Sequence, residues 1–329
     1  MRILIFLLAL FTQIASCHPK LHQTTQPKDI SIAGDTIPEI AADMEKEQPH
    51  FHLPYDLDQP ADRFELPEEL KEISGLSMSA DNKDVLTVVQ DEKGILFQVN
   101  KKTGLVEQET TFYKDGDYEG LEVIGESVYV VKSTGTIYEV KDLDQIPPYV
   151  AKHKFFLSKE NDIEGLCYDA KANRLLIACK GMPATGEPKE VTKFKKAIYS
   201  FYLEEKRMDL EPSFVFTLED FQLFLKECKK TDQHEKLCGY FKPDAENLIF
   251  SPSAIAIHPI TGNLYMTSSA KKLLMVFNPE GKILHLEKMD KSFHPQPEGL
   301  SFDEDGTLYI SNEGKQGMGT ILRFPYTPK

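Results

Sequence analysis

The chain has 329 residues, 41% hydrophobic and 10% aromatic, enough apolar material for a large core without requiring more than one compact unit. Acidic residues outnumber basic ones by 52 to 38, for a formal charge of −14. So acidic a chain argues against binding nucleic acid through phosphate neutralisation and suits a soluble exported domain, or one that attracts cations.

Residues 1–17 read as a targeting segment. Arg2 supplies a positive start, and Ile3 to Phe11 is almost wholly apolar, too short to span a bilayer but suited to a secretory signal. The segment ends Ile14-Ala15-Ser16-Cys17, which resembles the bacterial lipobox, where small residues precede a cysteine that is lipidated. A polar, Pro-containing stretch follows at once, so a lipid anchor at Cys17 is expected. Acyl chains there would hold the protein on a membrane of the bacterial cell envelope without a spanning helix. The alternative is an ordinary signal cleaved near Ser16, with Cys17 incidental. Residues 18–62 carry Gln, Thr, Pro, Asp and Glu without a period of 2 or 3.6, and predict a flexible tether. His50 and His52, with Asp56 and Asp58 nearby, read there as incidental rather than as a metal site.

From residue 63 to 329 an internal repeat dominates. It surfaces as a tripeptide: Ser74-Gly75-Leu76, Glu119-Gly120-Leu121, Glu164-Gly165-Leu166, Ser253-Ala254-Ile255 and Glu298-Gly299-Leu300. The central residues are spaced by 45, 45, 89 and 45. After each comes a polar turn, such as Lys171-Ala172-Asn173-Arg174 or Thr261-Gly262-Asn263, then two β-rich runs, and in most units a fourth, more exposed strand such as Val106 to Phe112. Short strands punctuated by Gly, Asn and Asp indicate antiparallel sheet. Four strands in about 45 residues is a propeller blade, so the predicted fold is an all-β propeller with five blades. The fifth unit stops after its third strand, and Arg63 to Leu66 can supply the missing outer strand, closing the ring and removing an open edge.

The 89-residue interval admits a sixth blade as an alternative. The preferred reading stretches the third unit by a loop at Gly181–Lys196, with its outer strand at Phe214–Leu218. A helical insert, about 219–247, then lies between blades 3 and 4: Phe221, Phe224, Leu225 and Cys228 recur at helical spacing, and Thr217 can cap the helix.

In a propeller the start of each first strand and the end of each second strand meet at one mouth of the central channel. Repeat symmetry therefore gathers Ser74, Glu119, Glu164, Ser253 and Glu298 with Asp91, Lys132, Lys180, Ser268, Asn312 and Glu313. Three converging carboxylates repel one another and need a cation, raised pKa values or basic neighbours. Oxygen-only donors suit Ca2+ (or Mg2+) rather than zinc, so Glu119, Glu164 and Glu298 are the candidate metal ligands. The others, Ser74, Asp91, Lys132, Lys180, Ser253, Ser268, Asn312 and Glu313, are candidates for holding a small-molecule or protein ligand. Equally open is a mouth without metal, in which Lys132 and Lys180 satisfy Glu119 and Glu164.

The Ile/Tyr/Pro-Glu-Gly-Leu starts at 118–121, 163–166 and 297–300, with Ile73-Ser74-Gly75-Leu76 opening the ring, resemble the SdiA-regulated family of bacterial propellers, in the company of phytase-esterase-like and strictosidine-synthase-like propellers. The resemblance implies the fold, an exported setting and a channel-mouth cation. Ser74 and Ser253 replace Glu in two units, which thins a complete carboxylate ring.

No nucleophile motif such as Gly-x-Ser-x-Gly, and no His-Glu-x-x-His, appears. His258-Pro259 and His294-Pro295 sit near two blade starts and read as turn elements before they read as bases. Among the cysteines, Cys228 and Cys238 are placed for a disulfide within the insert. A tight turn at Ala170–Asn173 sets Cys167 opposite Leu176 instead of Cys179, so both are expected to be buried thiols. The leading functional expectation is a ligand-binding module at the channel mouth. Its rivals are a metal-dependent hydrolase using the same carboxylates, and a purely structural or interaction protein.

Overall fold

The computed structural model describes residues 51–78, 83–227 and 233–328. Five antiparallel sheets account for nearly all its strands. Their innermost strands are Ile73–Met78, Tyr118–Ile124, Ile163–Asp169, Pro252–Ile257 and Pro297–Phe302, each drawn from one tripeptide repeat. Each of these packs on the next, and Pro297–Phe302 packs back on Ile73–Met78. The cycle closes at five blades, and the 89-residue interval is one stretched unit. No helix among the described residues is long and apolar enough to cross a membrane.

The core is divided among the blade interfaces. Five buried clusters occur, one between each pair of neighbouring blades. The last residue of every tripeptide belongs to the cluster shared with the preceding blade: Leu76, Leu121, Leu166, Ile255 and Leu300. The middle residue faces a different constraint. A Cβ on Gly75 would stand 2.9 Å from Gly120 Cα, and one on Gly120 would stand 2.8 Å from Glu164 O. Neighbouring inner strands approach too closely there for a side chain. Polar, small, apolar is thus a packing rule repeated around the axis.

Asp62–Glu65 pairs antiparallel with Thr320–Phe324 and completes the fifth sheet, as Arg63 to Leu66 predicts. In the third blade the outer edge is made by Phe214–Thr217 together with the two-residue strand Arg207–Met208. The long loop before its third strand contains a single helical turn, Lys189–Thr192. The insert is helical, at Leu218–Glu227 and His234–Tyr240, and buries Phe221, Leu225, Leu237 and Phe241 against blades 3 and 4. Thr217 caps the first helix: its hydroxyl accepts from Asp220 N–H (3.3 Å), and Asp220 Oδ2 accepts from Thr217 N–H (2.7 Å). That reciprocal pair satisfies donors a helix start leaves open.

Cys167 pairs with Leu176 across the hairpin, and both Cys167 and Cys179 are buried free thiols, as their spacing predicts. Cys238 also carries a free thiol, 3.5 Å from His234 Nδ1; the partner expected for it, Cys228, lies outside the described residues. So do Cys17, His50 and most of the expected tether.

One boundary moves. Residues 51–61 pack as a strap on blades 4 and 5 instead of extending the tether to residue 62: Leu53, Tyr55 and Leu57 are buried in the cluster those blades share. Tyr55 donates its hydroxyl to Gly306 O at 2.6 Å and meets His258 Nε2 at 2.9 Å. His258 Nδ1 accepts from the N–H groups of Ile260 and Thr261, both at 3.2 Å, so Nε2 carries the proton. His294 Nε2 donates to Leu57 O at 2.9 Å. The histidines beside the blade starts therefore hold turns and the strap, and burial lowers the pKa of both, His258 to about 4.

Candidate functional site

In every blade the pairing of first and second strands slips at the same place. Ile73 faces Gln90, Tyr118 faces Lys132, Ile163 faces Cys179, Pro252 faces Ser268 and Pro297 faces Asn312. The register then shifts: in four blades the single residue left out of the ladder is Glu119, Glu164, Ser253 or Glu298, and in blade 1 both Ser74 and Gly75 are left out. A β-bulge re-aims the side chain it frees. Five irregularities at one level bring the three carboxylates together around a narrow cleft with about 10 Å3 of free space, walled by Gly75, Gly120 and Gly299 and the apolar third residues.

Their proximity shapes their electrostatics. Glu119 is raised above the ordinary carboxylate range by loss of water, by the charge of Glu164 and by that of Asp117. Glu164, 6% exposed, is raised by burial and by Glu298, against the opposing pull of Lys180, whose Nζ lies 2.8 Å from its Oε1. Burial pushes Glu298 up to about 7, with Lys180 as the main opposing charge. Carboxyls crowded in a water-poor space hold protons because neither desolvation nor mutual repulsion favours the anion.

Around this trio the second-strand ends contribute unevenly. Asp91 is pushed up to about 6 by burial and the charges of Glu72, Glu92 and Asp117, and its Oδ1 is buried without a partner. Asn312 is wholly buried, and neither Oδ1 nor Nδ2 has a partner. Glu298 Oε2 is likewise buried and unpartnered. Glu313 accepts from Gln296 Nε2, and burial and Glu72 raise its pKa.

Other expected contributors belong to the frame. Ser253 donates to Pro297 O at 2.7 Å, and Ser268 accepts from Ser251 N–H at 2.9 Å and donates to Ala270 O at 3.0 Å. Ser74 contributes its backbone oxygen, which accepts from Ser311 at 2.9 Å. Among the described residues Lys132 makes no ion pair with Glu119; its ammonium lies 5.5 Å from the centre of the Tyr118 ring. Lys180 is therefore the one predicted lysine that neutralises a mouth carboxylate. Two residues escape the repeat logic. Gln296 joins the mouth from the loop before blade 5, and Lys196 donates to Gly181 O at 3.3 Å, with its pKa pushed down to about 8 by burial. Only the position of Lys196 at the end of the long third-blade loop hinted at it.

Chemically, the mouth offers oxygen acceptors, an amide and one ammonium. Among the described residues no three His, Cys, Asp or Glu side chains form a ready-made metal site. The unpartnered Glu298 Oε2 and Asn312 Oδ1 are nonetheless hard-oxygen donors of the kind Ca2+ takes.

Fold and site define a five-bladed β-propeller with an acidic axial mouth. The chain belongs to the SdiA-regulated family, whose profile matches residues 61–315. No curated protein sequence matches it. Among solved structures it is similar to Myxococcus xanthus glutaminyl cyclase, at 10% identity and a TM-score of 0.50, with 80% of this chain and 94% of that one covered. A luciferin-regenerating enzyme gives 13% identity and a TM-score of 0.46, covering 81% and 95%. The gluconolactonase XC5397 of Xanthomonas campestris gives 12% and 0.45, covering 77% and 72%. At such identities only the fold is shared.

Proposed function

We propose that this protein is an envelope-anchored binding propeller that receives a polar group of a small-molecule or protein ligand at the mouth lined by Glu119, Glu164 and Glu298. The observation that carries the reading is a pair of unpartnered buried groups on adjacent strands of blade 5: the Asn312 amide, whose backbone pairs with Pro297, and Oε2 of Glu298, the residue after Pro297. Leaving such groups unmade costs roughly 1–3 kcal/mol each, so a partner supplied by a ligand is favoured. The free space at the axis is about 10 Å3, room for about one water-sized group, so only the polar tip of the ligand enters and the remainder rests on the rim. Asp91, Lys180 and Glu313 surround that end and set its polarity.

A second reading, favoured by the two hard-oxygen acceptors, places Ca2+ among Glu119, Glu164 and Glu298. It requires the Lys180 ammonium to leave Glu164 and the carboxyls to give up their protons. Thermal denaturation with millimolar Ca2+ and with chelator separates the readings, because a ligand that binds only the native state raises the midpoint. A Ca2+-dependent rise that Glu298→Gln removes supports the metal. No Ca2+ effect, together with a polyol or amide whose saturation-transfer NMR signal disappears in Asn312→Leu, supports the metal-free site. Absence of both responses overturns the binding function itself. Anchoring rests on the lipobox-like Ile14-Ala15-Ser16-Cys17, and Cys17→Ala should release the protein from membranes into the soluble fraction.

A further inference from the structure

The inner strands begin at the acidic mouth and end at the opposite one, where a second and larger cavity of about 200 Å3 opens. Three residues after each tripeptide begins, the repeat places Ser77, Glu122, Cys167, Ala256 and Ser301. Ser77, Ala256 and Ser301 are small and leave the space open, Glu122 is a carboxylate, and Cys167 packs into the core between blades 3 and 4. Ile257, Phe302 and Tyr168 supply apolar wall.

Glu122 is tightly positioned there. Ser77 Oγ donates to its Oε2 at 2.8 Å, and Tyr168 N–H donates to its Oε1 at 3.1 Å. Both partners are neutral, and no lysine or arginine pairs with it among the described residues. The rim carboxylates differ: Asp303 pairs with Lys101, and Glu304 with Lys83 at 2.5 Å. Loss of water pushes Glu122 up to about 7. A carboxylate oriented by two donors, beside the apolar wall of a mixed cavity and lacking a counter-ion, is complementary to a cation that brings its own apolar body.

We propose that this opposite mouth is a second binding site, for a small amphipathic amine whose ammonium meets Glu122 while its apolar part lies against Ile257, Phe302 and Tyr168. The volume is below the ordinary range for drug-sized ligands, so only a compact amine fits. Nothing in this assignment depends on the acidic mouth, which is reached from the other end of the channel.

Phenethylamine and its neutral counterpart 2-phenylethanol are suitable probes, titrated at pH 8 while the Met78 methyl signal is followed by NMR, since Met78 lines the cavity. The expected result is a shift of that signal with roughly tenfold tighter binding of the amine, equivalent to about 1.4 kcal/mol. Glu122→Gln should bring the two probes to parity, Ala256→Leu should exclude both, and Asn312→Leu should change neither. Equal affinities in the wild-type protein, an amine preference that survives Glu122→Gln, or no Met78 shift at millimolar probe would overturn the proposal. Ala256→Leu keeps the carboxylate and serves as the check should Glu122→Gln fail to fold.

Discussion

The ammonium of Lys180 lies 2.8 Å from Glu164 Oε1, at the same open end of the hairpin that bears the bulged glutamate, and it also acts on Glu298. Burial alone would lower the Lys180 pKa, but the charge and hydrogen bond of Glu164, with Glu298 behind, hold it above its ordinary value. Lys180→Met removes the cation and leaves Glu164 to be neutralised by a proton. Because Lys180 keeps a third of its side chain exposed, the cost is at the modest end for a broken buried pair, about 1–3 kcal/mol. Urea denaturation at pH 8 should show that loss, and at pH 5, where Glu164 is protonated, it should shrink. A loss independent of pH would refute the pairing.

Glu298 titrates near 7 in the folded protein, above the ordinary 4.5. The folded state therefore binds this proton more tightly than the unfolded chain. Its stabilising effect is complete below about pH 4.5 and is lost as pH rises through about 7, at up to about 1.4 kcal/mol per pH unit. Gln does not titrate, so Glu298→Gln should gain on wild type by about 2–3 kcal/mol between pH 5 and 8. His258 and His294, whose pKa values are depressed, work in the opposite sense as pH falls below 6.5, but equally in both proteins. A flat difference in midpoint between variant and wild type would show that Glu298 is not buried as described.

Gly299 and Gly239 make a paired test of the packing rule. A Cβ on Gly299 would stand 2.5 Å from Ser74 O, a backbone atom of the neighbouring blade that cannot yield locally. Gly299→Ala should cost about 3 kcal/mol or more, or prevent folding. Gly239, in the helix His234–Tyr240, has open space around the same position, and Gly239→Ala should be neutral or stabilising by up to about 1 kcal/mol. Equal thermal midpoints for the two variants would contradict the close approach at the axis.

The strap makes its own prediction. Tyr55→Phe loses the hydrogen bonds to Gly306 O and His258 and should cost about 1–2 kcal/mol. Tyr55→Ala also removes a ring packed on Tyr265, Phe302 and Tyr326 and should cost about 3–5 kcal/mol. Were residues 51–61 a solvated linker, both variants would unfold with the wild-type midpoint.

The parts of the fold that were legible are those the repeat writes five times. Glu119, Glu164 and Glu298 share a mouth because the same bulge recurs in each blade, and a periodic sequence declares periodic geometry. Cys167 faces Leu176 because hairpin register follows from turn length. The strap was not legible. Leu53, Tyr55 and Leu57 alternate within a polar, Pro-containing stretch, and their partners Gly306, His258 and Phe302 lie more than 200 residues away.

From the chain alone came blade number, the outer strand at Arg63 to Leu66, the helical insert and the identity of the converging carboxylates, since each depends on local pattern or on its repetition. Tertiary structure decided which of those groups remain unpartnered. Ser253 and Ser268 spend their hydroxyls on neighbouring backbone, Lys132 lies at Tyr118, and Asn312 is left with a bare amide. Hydrogen-bond satisfaction depends on atoms brought together from different blades, and no spacing along the chain encodes it.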